Sequence, residues 1–309
     1  MLRLENITFS YDEETEALKD VTLNIEKGKK TLFLGENGSG KSTLFLIMNG
    51  LLKAQKGNIY FEEKKIEHKK KNLEELRKKV GIIFQDPEIQ IFAPLVFQEV
   101  AYGPENLGYS PEKVEEKVNR AMKEINIEDL KDRPCHHLSY GQKKRVSIAA
   151  ITAMEPELLI LDEPTAWLDS KNTKRVSEIL DNFSKAGKTM VVSTHDTDFA
   201  YEFADYIYVL DKGKIVRQGN RDEVFEDFEF LKKLNLNVPV ICPIQVKNIK
   251  INPPTTGAGI QYLLSMVSLL FIEYPIINST AANANVIVEF KLIFKIPSIV
   301  SKFIIYLLT

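Results

Sequence analysis

Residues 35–43 read Gly35-Glu36-Asn37-Gly38-Ser39-Gly40-Lys41-Ser42-Thr43. An apolar run at 31–34 precedes them and predicts a buried strand. A helical apolar spacing follows them, at Leu44, Ile47, Met48 and Leu51. Glycines between a strand and a helix let backbone N–H groups surround phosphate oxygens, and the helix N-terminus adds positive potential. The complete spacing makes a chance glycine turn the weaker interpretation. The stretch therefore predicts a nucleotide phosphate loop, with Lys41 directed at the β- and γ-phosphates and the Ser42 hydroxyl at Mg²⁺.

A pair of carboxylates follows a second all-apolar run. Residues 158–161 predict a buried strand, and Asp162 and Glu163 come directly after it. Open α/β sheets bind ligands at the carboxyl ends of their strands. We expect Asp162 to hold Mg²⁺ through water and Glu163 to polarise the water that attacks the γ-phosphate. Alone, the pair fits a solvated loop equally well; the phosphate loop in the same chain favours the catalytic interpretation.

A third motif begins a predicted helix. It reads Leu138-Ser139-Tyr140-Gly141-Gln142 and leads into an apolar face at 146, 149, 150 and 153. Ser139 is a good N-cap, so the helix N-terminus can also hold an anion. A capped helix with no further role is the alternative. The position of the motif, about twenty residues before Asp162, favours the functional interpretation.

Short apolar strands alternate with amphipathic helices along most of the chain. Strands are predicted at 1–9, 18–25, 31–34, 81–84, 158–161, 190–193 and 206–210. This alternation is typical of an α/β core with a largely parallel sheet. Residues 86–157 interrupt it with a helical pattern, in which Ser110 and Pro111 mark a helix start. We interpret 86–157 as a helical subdomain inserted into the core.

The composition excludes several classes of protein. The chain has 309 residues, 41 Lys and Arg against 43 Asp and Glu, and a net charge of −2. That balance argues against a basic nucleic-acid-coating protein and an acidic disordered one. The only cysteines are Cys135 and Cys242, which excludes a disulfide scaffold and favours a reducing compartment. The chain opens without a charged and then apolar leader, so we expect an unsecreted protein.

Together these motifs resemble the ATP-binding subunits of ABC transporters over residues 1 to about 240. The resemblance implies a P-loop NTPase (ABC ATPase) core with an inserted α-helical subdomain and an N-terminal antiparallel β-subdomain. It also implies a head-to-tail dimer that binds two ATP molecules with Mg²⁺. In each site the phosphate loop of one subunit faces the partner's signature segment, residues 138–142, with Ser139, Gly141 and Gln142 contacting ATP in trans.

The same resemblance assigns four further residues. Tyr11 matches the aromatic residue that stacks on adenine, although a surface aromatic in a turn would look the same. Gln85 matches the residue that reaches Mg²⁺ and the attacking water and senses the membrane partner. His195 matches the switch histidine at the γ-phosphate, which makes it catalytic with Glu163 and Gln85. Asp169 matches the loop acid that links the two sites.

Finer similarity points to the energy-coupling factor group. Residues 80–92, 101–108 and 141–146 resemble those of cobalt-type importers. In that group a pair of ATPases, identical or different, drives a transmembrane coupling subunit and a substrate-capture membrane protein from the cytoplasmic face of the membrane. Ile89, Ile91 and Phe92 face the transmembrane subunit in one interpretation and pack within the helical subdomain in the other. A soluble ABC-type ATPase acting on nucleic acid or the ribosome is the alternative function, but one cassette without sustained heptads argues against it.

Several features depart from the family or invite another interpretation. Tyr140 stands where glycine is frequent in the signature, and Trp167 stands where a small residue is usual. Cys135 with its two neighbouring histidines suits a loop better than a metal site, because three adjacent residues do not easily face one ion. The tail 241–309 is unusually apolar, with only five charged residues in 251–309. A divergent packing segment, a membrane-associating tail and a frameshifted readout remain open for it, and we favour the last.

Overall fold

The computed structural model describes residues 1–12 and 15–239. The predicted tail 241–309 and the cassette boundary at 240 lie outside the described residues. The strands are β1 Leu2–Ser10, β2 Glu16–Ile25, β3 Lys30–Leu34, β4 Lys56–Phe61, β5 Lys64–Lys65, β6 Val80–Ile83, β7 Leu158–Leu161, β8 Thr189–Thr194, β9 Tyr206–Asp211 and β10 Lys214–Gly219. The α-helices are α1 Lys41–Met48, α2 Lys70–Lys79, α3 Val96–Asn106, α4 Pro111–Ile125, α5 Tyr140–Thr152, α6 Ser170–Lys185, α7 Thr197–Phe203, α8 Arg221–Phe225 and α9 Phe228–Lys233.

The larger sheet has six strands in the order β10-β9-β3-β8-β7-β6. All neighbouring pairs from β9 to β6 are parallel, and β10 pairs antiparallel with β9. Side chains alternate across it: Leu32 and Leu34 enter one hydrophobic cluster and Phe33 enters the other. Both faces are therefore covered, as expected of a parallel sheet built from continuous apolar runs. The predicted α/β core is confirmed.

The order of this sheet decides where the functional residues meet. Strand β8 lies between β3 and β7, with Leu34 opposite Thr194 and Leu161 opposite Val192. Since the strands are parallel, the segments that follow β3, β7 and β8 leave the sheet at one edge. The loop 35–43, the pair 162–163 and residue 195 follow these three strands and so gather at that edge.

A second sheet stands at the N-terminus, in the order β2-β1-β4-β5. Its strands pair antiparallel, as the resemblance implied. Strands β4, β5 and β10 were not predicted from the sequence. Strand β4 is only partly buried and β10 alternates between exposed and half-buried side chains, so neither shows an apolar run.

The helical segment between β6 and β7 contains α3, α4 and α5. Helix α4 begins where predicted, because the Ser110 side chain accepts a hydrogen bond from the Lys113 N–H. Its apolar face is buried at Val114, Val118, Ala121 and Ile125. Within the described residues, the chain forms no helix long and apolar enough to cross a membrane.

One prediction for α1 is wrong. Leu51 was expected on its apolar face, but the helix ends at Met48 and Leu51 is 44% exposed. The Asn49 side chain donates to the Val80 carbonyl oxygen at 2.7 Å, and Gly50 follows with φ +73°. A left-handed glycine terminates a helix readily, so the spacing of Leu51 continued past the real helix end.

Candidate active site

The loop 35–43 wraps the first turn of α1. Gly40 has φ +107°, a conformation that favours glycine, and a Cβ there would lie 2.7 Å from the Ala17 carbonyl oxygen. Lys41 Nζ donates to the carbonyl oxygens of Gly35 at 2.7 Å and Glu36 at 2.9 Å. The Lys41 side chain is 5% exposed, and burial lowers its pKa against the opposing effect of Glu163. The loop thus places a buried ammonium group at the edge of the sheet.

The carboxylate pair is fixed by a residue that the sequence analysis did not single out. Ser193 Oγ, on β8, donates to Asp162 Oδ1 at 2.5 Å and accepts from the Glu163 N–H at 2.8 Å. Both carboxylates are buried. Glu163 has φ +40°, a strained value for a non-glycine residue of the kind that clusters at active sites. A polar residue at the end of an apolar run was the only sequence signal for Ser193.

The two oxygens of the Glu163 carboxylate face different cationic or basic groups. Oε1 lies 3.7 Å from Lys41 Nζ, and Oε2 lies 3.1 Å from His195 Nδ1. The Glu163 side chain is buried, whereas His195 is exposed. The three residues follow different strands, so the sheet order alone brings them together. A buried carboxylate beside an accessible imidazole is suited to hold and polarise a water molecule.

Gln85 follows β6, next to the strand that precedes Asp162. The Asp162 N–H donates to the Ile83 carbonyl oxygen at 2.9 Å, which ties the two strand ends together. The Gln85 carbonyl oxygen accepts from Lys144 Nζ at 2.9 Å and from the Tyr140 hydroxyl at 3.4 Å. No local sequence pattern indicates a role for Lys144, because its partners lie about 60 positions earlier in the chain.

The signature segment begins α5 with a capping box. The Gln142 N–H donates to Ser139 Oγ, and the Ser139 N–H donates to Gln142 Oε1 at 2.9 Å. Ser139 is exposed. This geometry leaves an accessible helix N-terminus that attracts negative charge. Within residues 1–12 and 15–239, no hydrogen bond or ion pair joins Ser139, Gly141 or Gln142 to the loop 35–43.

Asn172 connects the signature segment with the predicted loop acid. A Cβ at Gly141 would lie 2.5 Å from the Asn172 side chain, so the two residues are in close contact. Asn172 Nδ2 donates to Asp169 Oδ2 at 2.8 Å, and its N–H donates to Asp169 Oδ1 at 2.8 Å. These hydrogen bonds lower the pKa of Asp169. Asn172 was missed because an amide in a helix's first turn carries no sequence signal of its own.

Three aromatic residues lie around this edge. The Tyr11 hydroxyl lies 3.0 Å from Thr43 Oγ1, which places an exposed ring beside the phosphate loop. The Tyr140 ring lies 6.1 Å from the Trp167 ring. Trp167 is 69% exposed and has φ +60°. Burial, with Asp86 and Glu88 nearby, raises the pKa of Tyr140 to about 12, so its hydroxyl stays a donor at neutral pH.

The residues at this edge suit a magnesium ion. Ser42, Gln85 and Asp162 supply hydroxyl, amide and carboxylate oxygens, which are the ligands that Mg²⁺ prefers. Only one oxygen of Asp162 accepts from Ser193, so the other is available. By contrast, burial raises the pKa of the Cys135 thiol to about 11, which makes it a poor metal ligand.

Comparisons with known proteins agree on one family. The ABC transporter family model matches residues 18–166. A putative ABC transporter ATP-binding protein of Methanosarcina mazei is 48% identical over 244 residues, 79% of this chain and 54% of that protein. The energy-coupling factor transporter ATP-binding protein EcfA of Methanocaldococcus jannaschii is 44% identical over 255 residues, 82% of this chain and 91% of that protein. The chain belongs to the ABC transporter family.

Solved structures agree with this assignment. CbiO1 of Clostridium perfringens, described as part of the transporter complex cbiONQ, is 41% identical, with a TM-score of 0.68 over 80% of this chain and 98% of that one. A cassette solved as a dimer with ADP and Pi is 31% identical, with a TM-score of 0.65 over 72% of this chain and 99% of that one. The predicted ABC ATPase fold is confirmed, and the chain is an ATP-binding ABC ATPase of the energy-coupling factor type.

Proposed function

We propose that the chain is the ATP-hydrolysing motor of an energy-coupling factor type importer for cobalt, a related metal ion or a vitamin. The observation that carries the proposal is the position of Glu163 between Lys41 and His195 at one edge of the parallel sheet. The sequence of the cobalt-type stretches and the likeness to CbiO1 support the substrate class. The motor would act at the cytoplasmic face of the membrane, held there by its membrane partners.

The geometry supports a division of labour in hydrolysis. Lys41 and the loop amides bind the β- and γ-phosphates, as backbone N–H groups at a helix N-terminus do for anions. The Glu163 carboxylate accepts a hydrogen bond from a water molecule, and His195 orients that water and the γ-phosphate. The water oxygen bonds to the γ-phosphorus, the bond to the bridging oxygen breaks, and ADP and phosphate leave. Tyr11 supports the adenine ring.

Magnesium would be held by Ser42, Gln85 and Asp162. When bound, the ion neutralises charge that develops on the phosphate oxygens. The protein's own contribution is to fix the donors: Ser193 orients Asp162, and α5 holds the backbone of Gln85. The mixture of neutral and anionic oxygen ligands is suited to an ion that keeps several waters and substrate oxygens.

The signature segment would complete the partner's site. In the part of the chain that the structure describes, no hydrogen bond joins Ser139, Gly141 or Gln142 to the loop 35–43, and Ser139 is exposed. A second ATPase subunit, identical or different, would bring its own phosphate loop to this helix N-terminus. A relative's dimeric structure with ADP and Pi supports this arrangement. Closure of the two subunits around ATP would then move the helical segments.

An exposed apolar group next to Gln85 supports a membrane partner. Ile89 is 72% exposed, and Phe92 is 63% exposed and packs edge-on against Tyr102 at 4.6 Å. Ile91 instead packs against the core. The three residues thus divide between the two interpretations of the sequence, and Ile89 and Phe92 are the ones available to the transmembrane coupling subunit.

Transport provides the decisive experiment. Cells expressing the chain with its membrane subunits should take up labelled Co²⁺ or vitamin in an ATP-dependent way. The Lys41→Ala variant should lose that uptake while the complex still assembles, because the buried ammonium that meets the phosphates is gone. Uptake that survives this substitution would overturn the proposed motor. Co-purification with nucleic acid in place of membrane subunits would overturn the transport role.

A further inference from the structure

One face of α5 is bound along its length to residues 84–90, which we call the Gln85 segment. Tyr140 and Lys144 donate to its carbonyl oxygens, and Lys143 Nζ lies 2.7 Å from Glu88 Oε1. Further along the helix, the Ser147 carbonyl oxygen accepts from Gln90 Nε2 at 3.4 Å. The helix positions follow the i, i+3, i+4, i+7 spacing of a single face. The signature helix and the Gln85 segment are therefore joined by polar contacts.

Lys144 is the central and most buried of these contacts. The residue is 0% exposed, and its Nζ donates to the carbonyl oxygens of Phe84 at 2.7 Å and Gln85 at 2.9 Å. Charge-assisted hydrogen bonds from a buried ammonium are stronger than those between neutral groups. Breaking them would remove a charged donor from two partly buried carbonyl oxygens, which costs free energy. Lys144 thus holds two consecutive peptide groups, 84–85 and 85–86, one on each side of the Gln85 Cα.

The contact leaves the functional end of Gln85 unoccupied. Residues 1–12 and 15–239 show no hydrogen bond to the Gln85 side-chain amide, although its backbone carbonyl accepts two. The signature segment forms the start of the same helix and ends at Gln142, two residues before Lys144. A shift of α5 would therefore carry the Gln85 backbone with it and redirect the free amide.

We infer that Lys144 is a positioning residue, which fastens the Gln85 backbone to the signature helix α5. The position of α5 then determines whether the Gln85 side-chain amide reaches Mg²⁺ and the attacking water. The inference rests on the proposed role of Gln85. Burial lowers the pKa of Lys144 to about 8, but near neutral pH the ammonium form still predominates and both hydrogen bonds are charge-assisted. Asp86, Asp162 and Glu163 are the acidic groups that favour this charged form.

The first readout does not depend on hydrolysis. In the Lys144→Met variant, amide hydrogen exchange at residues 84–91 should quicken about tenfold, since the segment loses its central fastening. The matched control is Lys117→Met, which removes another buried lysine, one that binds Glu155 in the helical region and does not touch the Gln85 segment. This control should leave exchange at 84–91 as in the original chain.

The second readout separates positioning from loss of stability. Lys144→Met should lower kcat about 10- to 100-fold and raise the Mg²⁺ concentration for half-maximal hydrolysis, with ATP affinity unchanged. Adding Lys144→Met to Gln85→Ala should cause no further loss, because the two residues act as one unit. If Lys144→Met folds poorly, Lys144→Gln keeps two N–H donors on a shorter side chain and should give a smaller change of the same kind.

Two outcomes overturn the inference, and a third bears on the proposed function. Unchanged exchange at 84–91 in Lys144→Met, or losses that multiply in the double variant, would show that Lys144 does not position Gln85. If Gln85→Ala alone leaves kcat and Mg²⁺ dependence intact, the proposed role of Gln85 fails. In that case exchange at 84–91 still decides whether Lys144 fastens the segment.

Discussion

His195 Nδ1 lies 3.1 Å from Glu163 Oε2, although the two residues are 32 positions apart and follow different strands. The imidazole is accessible to solvent, whereas the carboxylate that it contacts is buried inside the site. The other carboxylate oxygen faces Lys41. A water molecule that replaces or joins this contact would meet a base, an orienting group and the phosphate-binding lysine together.

Glu163→Gln should reduce ATP hydrolysis about 10²- to 10⁴-fold, because the amide cannot accept the proton of the attacking water. Nucleotide binding should persist, and ATP should trap a closed dimer that size-exclusion chromatography detects. Glu157→Gln is a matched control: Glu157 precedes the same strand and binds Lys79 at its far end. Unchanged turnover in Glu163→Gln would remove Glu163 from the mechanism.

His195→Ala should lower kcat about 10- to 100-fold while the Kd for ATP changes little. The imidazole lies 3.1 Å from the Glu163 carboxylate, so its loss should affect the chemical step more than binding. Steady-state kinetics together with equilibrium nucleotide titration separate the two effects. His136→Ala removes another exposed histidine, in the loop before the signature segment, and should behave like the original chain.

The buried ammonium of Lys144 predicts a distinctive dependence of stability on pH. Its pKa is about 8 in the folded chain and near its ordinary value of 10.5 when unfolded. Between these values the unfolded chain holds a proton that the folded chain has released, so the free energy of unfolding rises with pH. The burial penalty is present in full below about pH 8 and is relieved as the pH increases.

Urea unfolding of the original chain and of the Lys144→Met variant measures the pH-dependent contribution of Lys144 to the free energy of unfolding. The difference in unfolding free energy, original minus variant, should rise by about 2 kcal/mol between pH 7 and 9.5. A difference that stays level or falls over that range would contradict the lowered pKa.

The left-handed backbone conformation of Trp167 predicts that two substitutions at this position differ in stability. With φ +60° and a 69% exposed side chain, the residue carries strain without compensating burial in this chain. Glycine adopts this conformation freely and alanine does not. Trp167→Gly should therefore be more stable than Trp167→Ala by about 1 kcal/mol in thermal or urea unfolding. Equal stabilities would mean that the backbone at 167 relaxes.

Phe92→Ser should weaken co-purification with the transmembrane subunit about tenfold or more, because an exposed aromatic anchor is removed. The isolated chain should keep its ATPase activity, since Phe92 is exposed, packs against Tyr102 and has no part in the proposed hydrolysis. Val216→Ser, at another exposed apolar residue on β10, is the control and should retain the partner. Full recovery of the membrane subunit with Phe92→Ser would place the contact elsewhere.

Three of the groups predicted from the sequence, Gln85, Asp162 and His195, come just after a short apolar strand. Asp162 and His195 could be placed at a common edge because parallel strands end together. The same could not be done for Ser193, Asn172 and Lys144. Their roles come from hydrogen bonds to Asp162, to Asp169 and to the Gln85 carbonyl oxygen, which only the folded structure shows. A lysine within an apolar helix pattern predicts a solvated side chain, and only tertiary contacts reveal its burial.

Strand β4 was missed because its stability comes from its neighbour in the sheet. Strand β4 is held to the sheet by its pairing with β1, with Leu4 opposite Ile59, and its own residues are only partly buried. Whether β4 forms a strand therefore depends on β1 as much as on the residues of β4. At Leu51 the sequence predicted too much helix and not too little strand. The apolar spacing continues to Leu51, but the helix already ends at Asn49 and Gly50.

Trp167 gives the protein an optical property of its own. It is the sole tryptophan in the 309 residues, so the red edge of the intrinsic fluorescence comes from one indole. That indole stands in water, 6.1 Å from the first residue of the signature helix. If ATP brings a second subunit against this face, the emission will shift to the blue, and its time course will report closure of the motor without any attached dye.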